Sequence, residues 1–179
     1  TKATAIFKEL SKNPLDYYSF MSSDQLGTKY NFGNVTPKSV SKSELNKYLK
    51  DEFITQSIDL YDIGQYKDST SLWKWTIRKK LRNKNIIQIK ELSQLAENNH
   101  MYYDAIFNMA VIGKYSNIGL LFPNAFSNSV NKNTAKYGVD KDLVLSIMRK
   151  ESLFDVEAGS YAGAKGLMQV TVPTGSFIA

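Results

Sequence analysis

Apolar residues recur every three or four positions through the middle of the chain, which is the spacing of one face of a helix. In the stretch DEFITQSIDLYDIGQY, this face carries Phe53, Ile54, Ile58 and Tyr61. Gly64 follows them, and glycine commonly ends helices because it adopts left-handed backbone angles without strain. The pattern therefore predicts a helix that ends near Gly64.

The same reasoning predicts helices on both sides of this one. Ser41 stands three residues before Glu44, the spacing of a capping box at a helix start. Apolar spacing predicts further helices over 68–82, 86–97 and 101–112. Gly113 ends the last of them, the turns are short, and no segment alternates as a strand would. We therefore expect an all-α fold in which an irregular α-superhelix is built from helical hairpins.

The composition changes near residue 123. Pro123 breaks the helical series, and a stretch rich in Asn, Ser and Lys runs on to Gly138. This stretch is typical of a boundary or of a polar surface helix. We predict a helical region over 1–122 and a distinct unit over 123–179.

The net charge of +6 leaves room for an anionic partner such as nucleic acid, acidic lipid or a cell-wall polymer. The lysines are spread along the chain and never form a block. We therefore favour the interpretation that they are solvated surface side chains with no dedicated anionic partner. A nucleic-acid function would need a clustered basic face, and we predict no nucleic-acid partner.

Cofactor and membrane functions have little support. The chain has no cysteine, and its single histidine, His100, has no second metal-ligand candidate nearby, so neither a metal nor a cofactor is predicted. No apolar run approaches the roughly 18 residues of a transmembrane helix. The N-terminus lacks the features of a signal peptide, which fits either a cytoplasmic chain or a mature or internal piece of an exported protein.

Aromatic side chains could stack on a sugar or a base, but at helical spacing they more often belong to the core. We assign the following aromatic residues to the core: Trp73, Trp75, Tyr102, Tyr103 and Phe107. His100 is assigned to the surface or to a helix cap.

One carboxylate is a candidate acid. Asp140 is a suitable N-cap for a helix on which Val144, Ile147, Met148 and Glu151 fall at i, i+3, i+4 and i+7. We expect Glu151 to lie at the end of an apolar stripe, where burial and the negative end of the helix dipole both favour its protonated form. A general acid requires this. The alternative is a glutamate that ends a helix and reaches water.

The segment after Glu151 is rich in glycine and alanine, which allows a polymer to lie close to main-chain groups. Ser160 could bond the glutamate or a substrate, and Gln169 offers both a donor and an acceptor to a sugar. A phosphate loop is disfavoured, because no strand precedes the segment and no Gly-Lys-Ser/Thr follows it. Asp155 and Glu157 are assigned to surface or capping roles, which leaves a single acid for chemistry.

The stretch RKESLFDVEAGSYAGAKGLMQ resembles the signature of the soluble lytic murein transglycosylases, whose motif runs ES-x-[FW] and then S-x-x-GA-x-GLMQ. Ten positions match without a gap: Glu151, Ser152, Phe154, Ser160, Gly163, Ala164, Gly166, Leu167, Met168 and Gln169. The stretches FPNAF at 122–126 and YYSFMSSDQLG at 17–27 resemble other parts of the family.

The resemblance implies a lysozyme-like catalytic domain on an α-superhelix, in a periplasmic enzyme that acts on peptidoglycan glycan strands. Such enzymes cleave the β-1,4 bond between MurNAc and GlcNAc and leave a 1,6-anhydroMurNAc end. Glu151 matches the single catalytic residue, which acts as an acid and then as a base. Ser160 and Gln169 match family residues that line the cleft. We also predict that Gly166, Met168 and Thr171 bind the substrate.

Two departures from the family pattern accompany the resemblance. Thr171 replaces a methionine, and the proline that follows stands one place late, at Pro173. The family pattern also continues past the position of Ala179, so the chain is expected to cover only the first part of the catalytic domain. A non-catalytic helical scaffold that binds glycan or a partner protein remains the alternative function.

Overall fold

The computed structural model describes residues 1–32, 40–80, 85–112 and 117–178. In these ranges the α-helices are α1 Lys2–Leu10, α2 Tyr17–Leu26, α3 Lys42–Asn46, α4 Glu52–Asp62, α5 Tyr66–Lys80, α6 Ile86–Asn98, α7 Tyr102–Ile112, α8 Ile118–Leu121, α9 Ser127–Tyr137, α10 Lys141–Ser152 and α11 Val172–Ile178. A 3₁₀ turn, Tyr48–Lys50, lies between α3 and α4. Extended pairing in the described residues is limited to isolated bridges, so the all-α prediction is confirmed. None of the described helices has the length and apolar character needed to cross a membrane.

The described residues form two compact units. One comprises residues 1–32 and 117–119, and the other comprises the remaining described residues from 40 onward. In the first unit α1 packs against α2, which begins at the capping side chain of Asp16 and ends at a left-handed Gly27. The predicted boundary between residues 122 and 123 is drawn from a change in composition and not from packing within the fold, and it stays a prediction.

The second unit is built on two helical hairpins, α4 with α5 and α6 with α7. Gly64 turns the first hairpin with a φ of 82°, and the capping box of Ser41 and Glu44 starts α3, both as predicted. The end of the helix predicted over 68–82 and the helix end predicted at Gly113 lie outside the described residues. The shared core contains, among others, Leu45, Ile54, Trp73, Leu92, Leu95 and Met101.

The assignment of the aromatic residues to the core is only partly correct. Trp73 is fully buried, whereas Trp75 is 48% exposed, so its core assignment is wrong. Trp73 and Trp75 are two positions apart on a helix, which corresponds to a rotation of about 200°, so their side chains lie on nearly opposite faces. Tyr102, Tyr103 and Phe107 are half-buried.

Asp104 is a residue of α7 whose buried carboxyl group contacts α5. Its Oδ2 accepts a hydrogen bond from the Thr70 hydroxyl at 3.1 Å, and its Oδ1 has no hydrogen-bond partner among the described residues. Burial raises the pKa of Asp104 from 3.8 to about 7, against the opposing effects of Thr70 and of the Lys74 charge. The folded chain therefore binds the Asp104 proton more tightly than the unfolded chain does.

We expect Asp104→Asn to flatten the dependence of stability on pH. In the parent protein the free energy of unfolding should fall as pH rises from about 4 to about 7, because the folded-state pKa is the higher one. A three-unit shift corresponds to about 4 kcal/mol at most. Urea unfolding at pH 4, 6 and 8 measures this, with the exposed Asp59→Asn as control. Parallel pH curves for Asp104→Asn and the parent would contradict the assignment.

Candidate active site

Helix α10 carries Glu151 in its last turn. As predicted, it begins at Asp140, whose side chain accepts a hydrogen bond from the Leu143 N–H at 2.8 Å. Its last helical residue is Ser152, and the C-cap that follows, Leu153, is left-handed with a φ of 52°. Glu151 therefore lies at the carboxyl end of the helix, where the dipole is negative.

The expected burial of Glu151 is wrong. The buried face of α10 passes through Met148 and Ser152, whereas Ile147 and Glu151 are exposed. The apolar stripe predicted from the sequence is wider than the face that packs against the core. That face contains Met148, so Ile147 and Glu151, at the edge of the stripe, point toward solvent. The Glu151 carboxylate has no hydrogen bond or ion pair with any residue that the structure describes.

The chain reverses direction directly after α10. Leu153 and Phe154 are both left-handed, with φ values of 52° and 65°. The reversal buries Phe154, which is 2% exposed, against Tyr102 of α7 and Phe126. The ring centroids lie 6.3 Å and 6.5 Å from that of Phe154. We call Tyr102, Phe126 and Phe154 the aromatic cluster; it fixes the end of α10 against α7.

Ser152 is buried beside the exposed Glu151 and connects α10 to the segment that follows. Its Oγ lies 3.0 Å from the Met148 carbonyl oxygen and 2.9 Å from that of Leu167, both acceptors for its hydroxyl. The same oxygen accepts a hydrogen bond from the Phe154 N–H at 3.1 Å. The sequence marked Ser152 as a signature position but gave no reason for a hydroxyl there.

Residues 158–170 form the glycine-rich loop. Its main chain pairs at two isolated bridges, one between Gly159 and Lys165 and one between Lys165 and Val170. Hydrogen bonds from the Ser160 N–H to the Ala164 oxygen (2.9 Å) and from the Gly166 N–H to the Ala158 oxygen (2.8 Å) close the first bridge. The loop is therefore held mainly by its own backbone.

The side chains of Ser160 and Gln169 also hold this loop together. The Ser160 Oγ accepts a hydrogen bond from the Ala164 N–H at 3.0 Å. The Gln169 Nε2 donates to the carbonyl oxygens of Ala158 and Gly166, at 2.9 Å and 3.0 Å. Both amide hydrogens of Gln169 are thus used within the chain, and its Oε1 is left as an acceptor.

The other predicted site residues lie along the same loop and just after it. Gly166 has a φ of 72°, a backbone conformation that favours glycine. Met168 is 41% exposed at an apolar groove of about 430 Å³ between α9 and α10. The Thr171 hydroxyl lies 3.0 Å from that of Thr174 at the start of α11. The structure thus brings Ser160, Gly166, Met168 and Gln169 together in one loop.

The other two carboxylates fit the capping prediction. The Asp155 Oδ1 accepts a hydrogen bond from the Glu157 N–H at 3.0 Å, which closes a local turn. The Glu157 side chain is exposed. No group of three or more His, Asp or Glu side chains within the described ranges is arranged to hold a metal ion.

A cleft of about 700 Å³ separates α5 from the glycine-rich loop and the turn before it. It is lined by Tyr66, Lys67, Thr70, Ser71, Lys74, Asp155, Val156, Glu157, Ala158, Gly159, Lys165 and Gly166. The lining combines three lysines with two carboxylates. Sequence reasoning missed the contribution of α5, because periodicity within a helix carries no information about a segment some 90 residues away.

Comparison with known proteins supports the resemblance. Residues 128–178 match the family described as "Transglycosylase SLT domain". "Membrane-bound lytic murein transglycosylase C" of Klebsiella pneumoniae is 27% identical over 197 residues, covering 90% of this chain and 50% of the relative. The protein of the same name from Histophilus somni is 49% identical over 45 residues, covering 25% of this chain and 12% of the relative.

The fold is also similar to a solved structure. The 70-kDa soluble lytic transglycosylase Slt70 of Escherichia coli matches with a TM-score of 0.82 at 19% identity, over 98% of this chain and 27% of that one. This likeness confirms the predicted fold class, all-α with an α-superhelical region and a lysozyme-like domain. The resemblance to the soluble lytic murein transglycosylases is likewise confirmed. The chain spans at most about half the length of these proteins.

We expect Gln169→Glu to destabilise the glycine-rich loop. A carboxylate keeps the shape of the side chain but replaces two donated hydrogen bonds by repulsion from two carbonyl oxygens. The free energy of unfolding should fall by about 2 kcal/mol, and backbone amides of residues 158–170 should exchange faster. The exposed Gln88→Glu on α6 introduces the same charge as a control. An equal effect of the two substitutions would show that Gln169 does not hold the loop.

Proposed function

From the match of residues 128–178 to the transglycosylase SLT domain, we propose that the protein is a peptidoglycan lytic transglycosylase. Its substrate would be the glycan strand, cleaved at the β-1,4 bond between MurNAc and GlcNAc, and its location the periplasm, where that polymer lies. The observation that carries the proposal is the ungapped signature from Glu151 to Gln169, in which an acid ends a helix and the glycine-rich loop folds back onto that helix.

Glu151 would act first as an acid and then as a base. Its carboxyl group gives a proton to the glycosidic oxygen, the bond from that oxygen to C1 of MurNAc breaks, and GlcNAc leaves with a free hydroxyl. The C6 hydroxyl of MurNAc then bonds to C1 and returns its proton to Glu151. The products are a GlcNAc end and a 1,6-anhydroMurNAc end, with no water consumed. One carboxylate suffices because the substrate supplies the nucleophile.

The hydrogen bonds within the loop define what Ser160 and Gln169 offer to a sugar. The Ser160 oxygen already accepts from the Ala164 N–H, so its own O–H is the group left to donate. Gln169 uses both amide hydrogens on the loop, so its Oε1 would accept from a sugar hydroxyl or an acetamido N–H. We propose that these two residues contact the sugar from complementary sides, one as donor and one as acceptor.

The remaining predicted residues would contact the substrate through van der Waals packing and shape, not through directional hydrogen bonds. Gly166 allows the main chain to lie close to a ligand. Met168, exposed at the groove, would contact an apolar face of a sugar ring. Thr171 stands where the family has methionine, and its hydroxyl is near Thr174, so we propose that it shapes the end of the binding surface.

Glu151→Gln tests the chemistry, because an amide keeps the size of the side chain but cannot supply the proton. With purified peptidoglycan, the full-length protein should release 1,6-anhydromuropeptides, and Glu151→Gln should reduce this release by at least about a thousandfold. Glu52→Gln is the matched control, an exposed glutamate in the first turn of α4 that lines neither the cleft nor the groove, and it should leave release unchanged. Product release by Glu151→Gln at the rate of the control would refute the assignment.

A non-catalytic glycan-binding scaffold is the second candidate. It is favoured by the exposure of Glu151 and by the absence of a partner for its carboxylate among the described residues. A scaffold would retain glycan strands in a pull-down without releasing anhydro products. The Glu151→Gln variant would retain them as well as the parent protein does. Turnover that depends on Glu151 would exclude this alternative.

A further inference from the structure

The position of Ser152 gives its hydroxyl a role beyond packing. The residue directly follows Glu151, yet its side chain is 8% exposed while that of Glu151 faces solvent. The two side chains diverge from one turn of α10, so a change at Ser152 leaves the surroundings of the glutamate side chain itself largely intact. Any effect of Ser152 on Glu151 must therefore pass through the main chain.

The hydroxyl joins three main-chain groups from separate parts of the site. It lies 3.0 Å from the Met148 oxygen, one turn earlier in α10, and 2.9 Å from the Leu167 oxygen in the glycine-rich loop. It also accepts from the Phe154 N–H, within the chain reversal. Leu167 is followed directly by Met168 and Gln169, the proposed sugar-binding residues.

We propose that Ser152 is a positioning residue, which sets the distance between the Glu151 carboxyl and the sugar held at Met168 and Gln169. This inference rests on the proposed function. Without the hydroxyl, the buried Phe154 N–H and the half-buried Leu167 oxygen each lose a hydrogen bond, and the loop can shift relative to the end of α10. A displacement of about 1 Å between an acid and its substrate is enough to lower a rate substantially.

Ser152→Ala in the full-length protein tests this role. We expect kcat for anhydromuropeptide release to fall at least about tenfold while KM stays within about twofold, because the binding groups remain and only their alignment with the acid is lost. Ser152→Cys keeps nearly the same volume but bonds weakly, so its kcat should fall between those of the parent and the alanine variant. The cysteine variant decides the question if the alanine variant does not fold.

Ser93→Ala is the matched control. Ser93 is a buried serine on α6 whose hydroxyl donates to the Ile89 carbonyl oxygen four residues earlier, at 2.8 Å. It should lower thermal stability as Ser152→Ala does and leave kcat unchanged. Equal kcat values for the Ser93 and Ser152 variants, with Glu151→Gln inactive, would overturn the positioning role alone. Turnover by Glu151→Gln would instead remove the proposed function and this inference with it.

Discussion

The site depends on the reversal of the chain at Leu153 and Phe154. Two consecutive left-handed residues that are not glycine each cost about 1–2 kcal/mol. Full burial of Phe154 contributes about 1.5–3 kcal/mol in the opposite direction, and its contacts with Tyr102 and Phe126 add to that. The strained turn is thus held by the aromatic cluster. Because the chain turns back there, Ser152 meets Leu167 and the glycine-rich loop lies against the end of α10.

The features predicted correctly from the sequence are those that depend on near neighbours along the chain. The caps at Ser41 and Asp140 and the turn at Gly64 are determined within three or four residues, so the sequence carries enough information to place them. The exposure of Glu151 and Trp75 depends instead on which face of a helix meets the core. Periodicity narrows that choice to a broad arc, and only tertiary packing selects within it.

The family signature combines residues with different physical roles. Phe154 and Ser152 build the turn, and the side chains of Ser160 and Gln169 hold the loop through main-chain groups. From its chemistry alone, Gln169 appeared free to donate and accept, but the fold uses its donors and leaves only its acceptor. A signature residue is therefore not equivalent to a substrate contact, since several of these side chains form hydrogen bonds that hold the loop itself.

The exposure of Glu151 places a requirement on the proposed reaction. A general acid must pass its proton to the leaving oxygen rather than to solvent, and the Glu151 side chain is exposed to water. The described residues supply neither burial nor a hydrogen bond to this carboxylate. A glycan strand lying across the end of α10 would exclude that water and surround the acid with sugar. In the proposed reaction, the substrate would therefore shield the acid from water as well as provide the nucleophile. The main contribution of the described residues to catalysis would then be to align the glycine-rich loop with the end of α10.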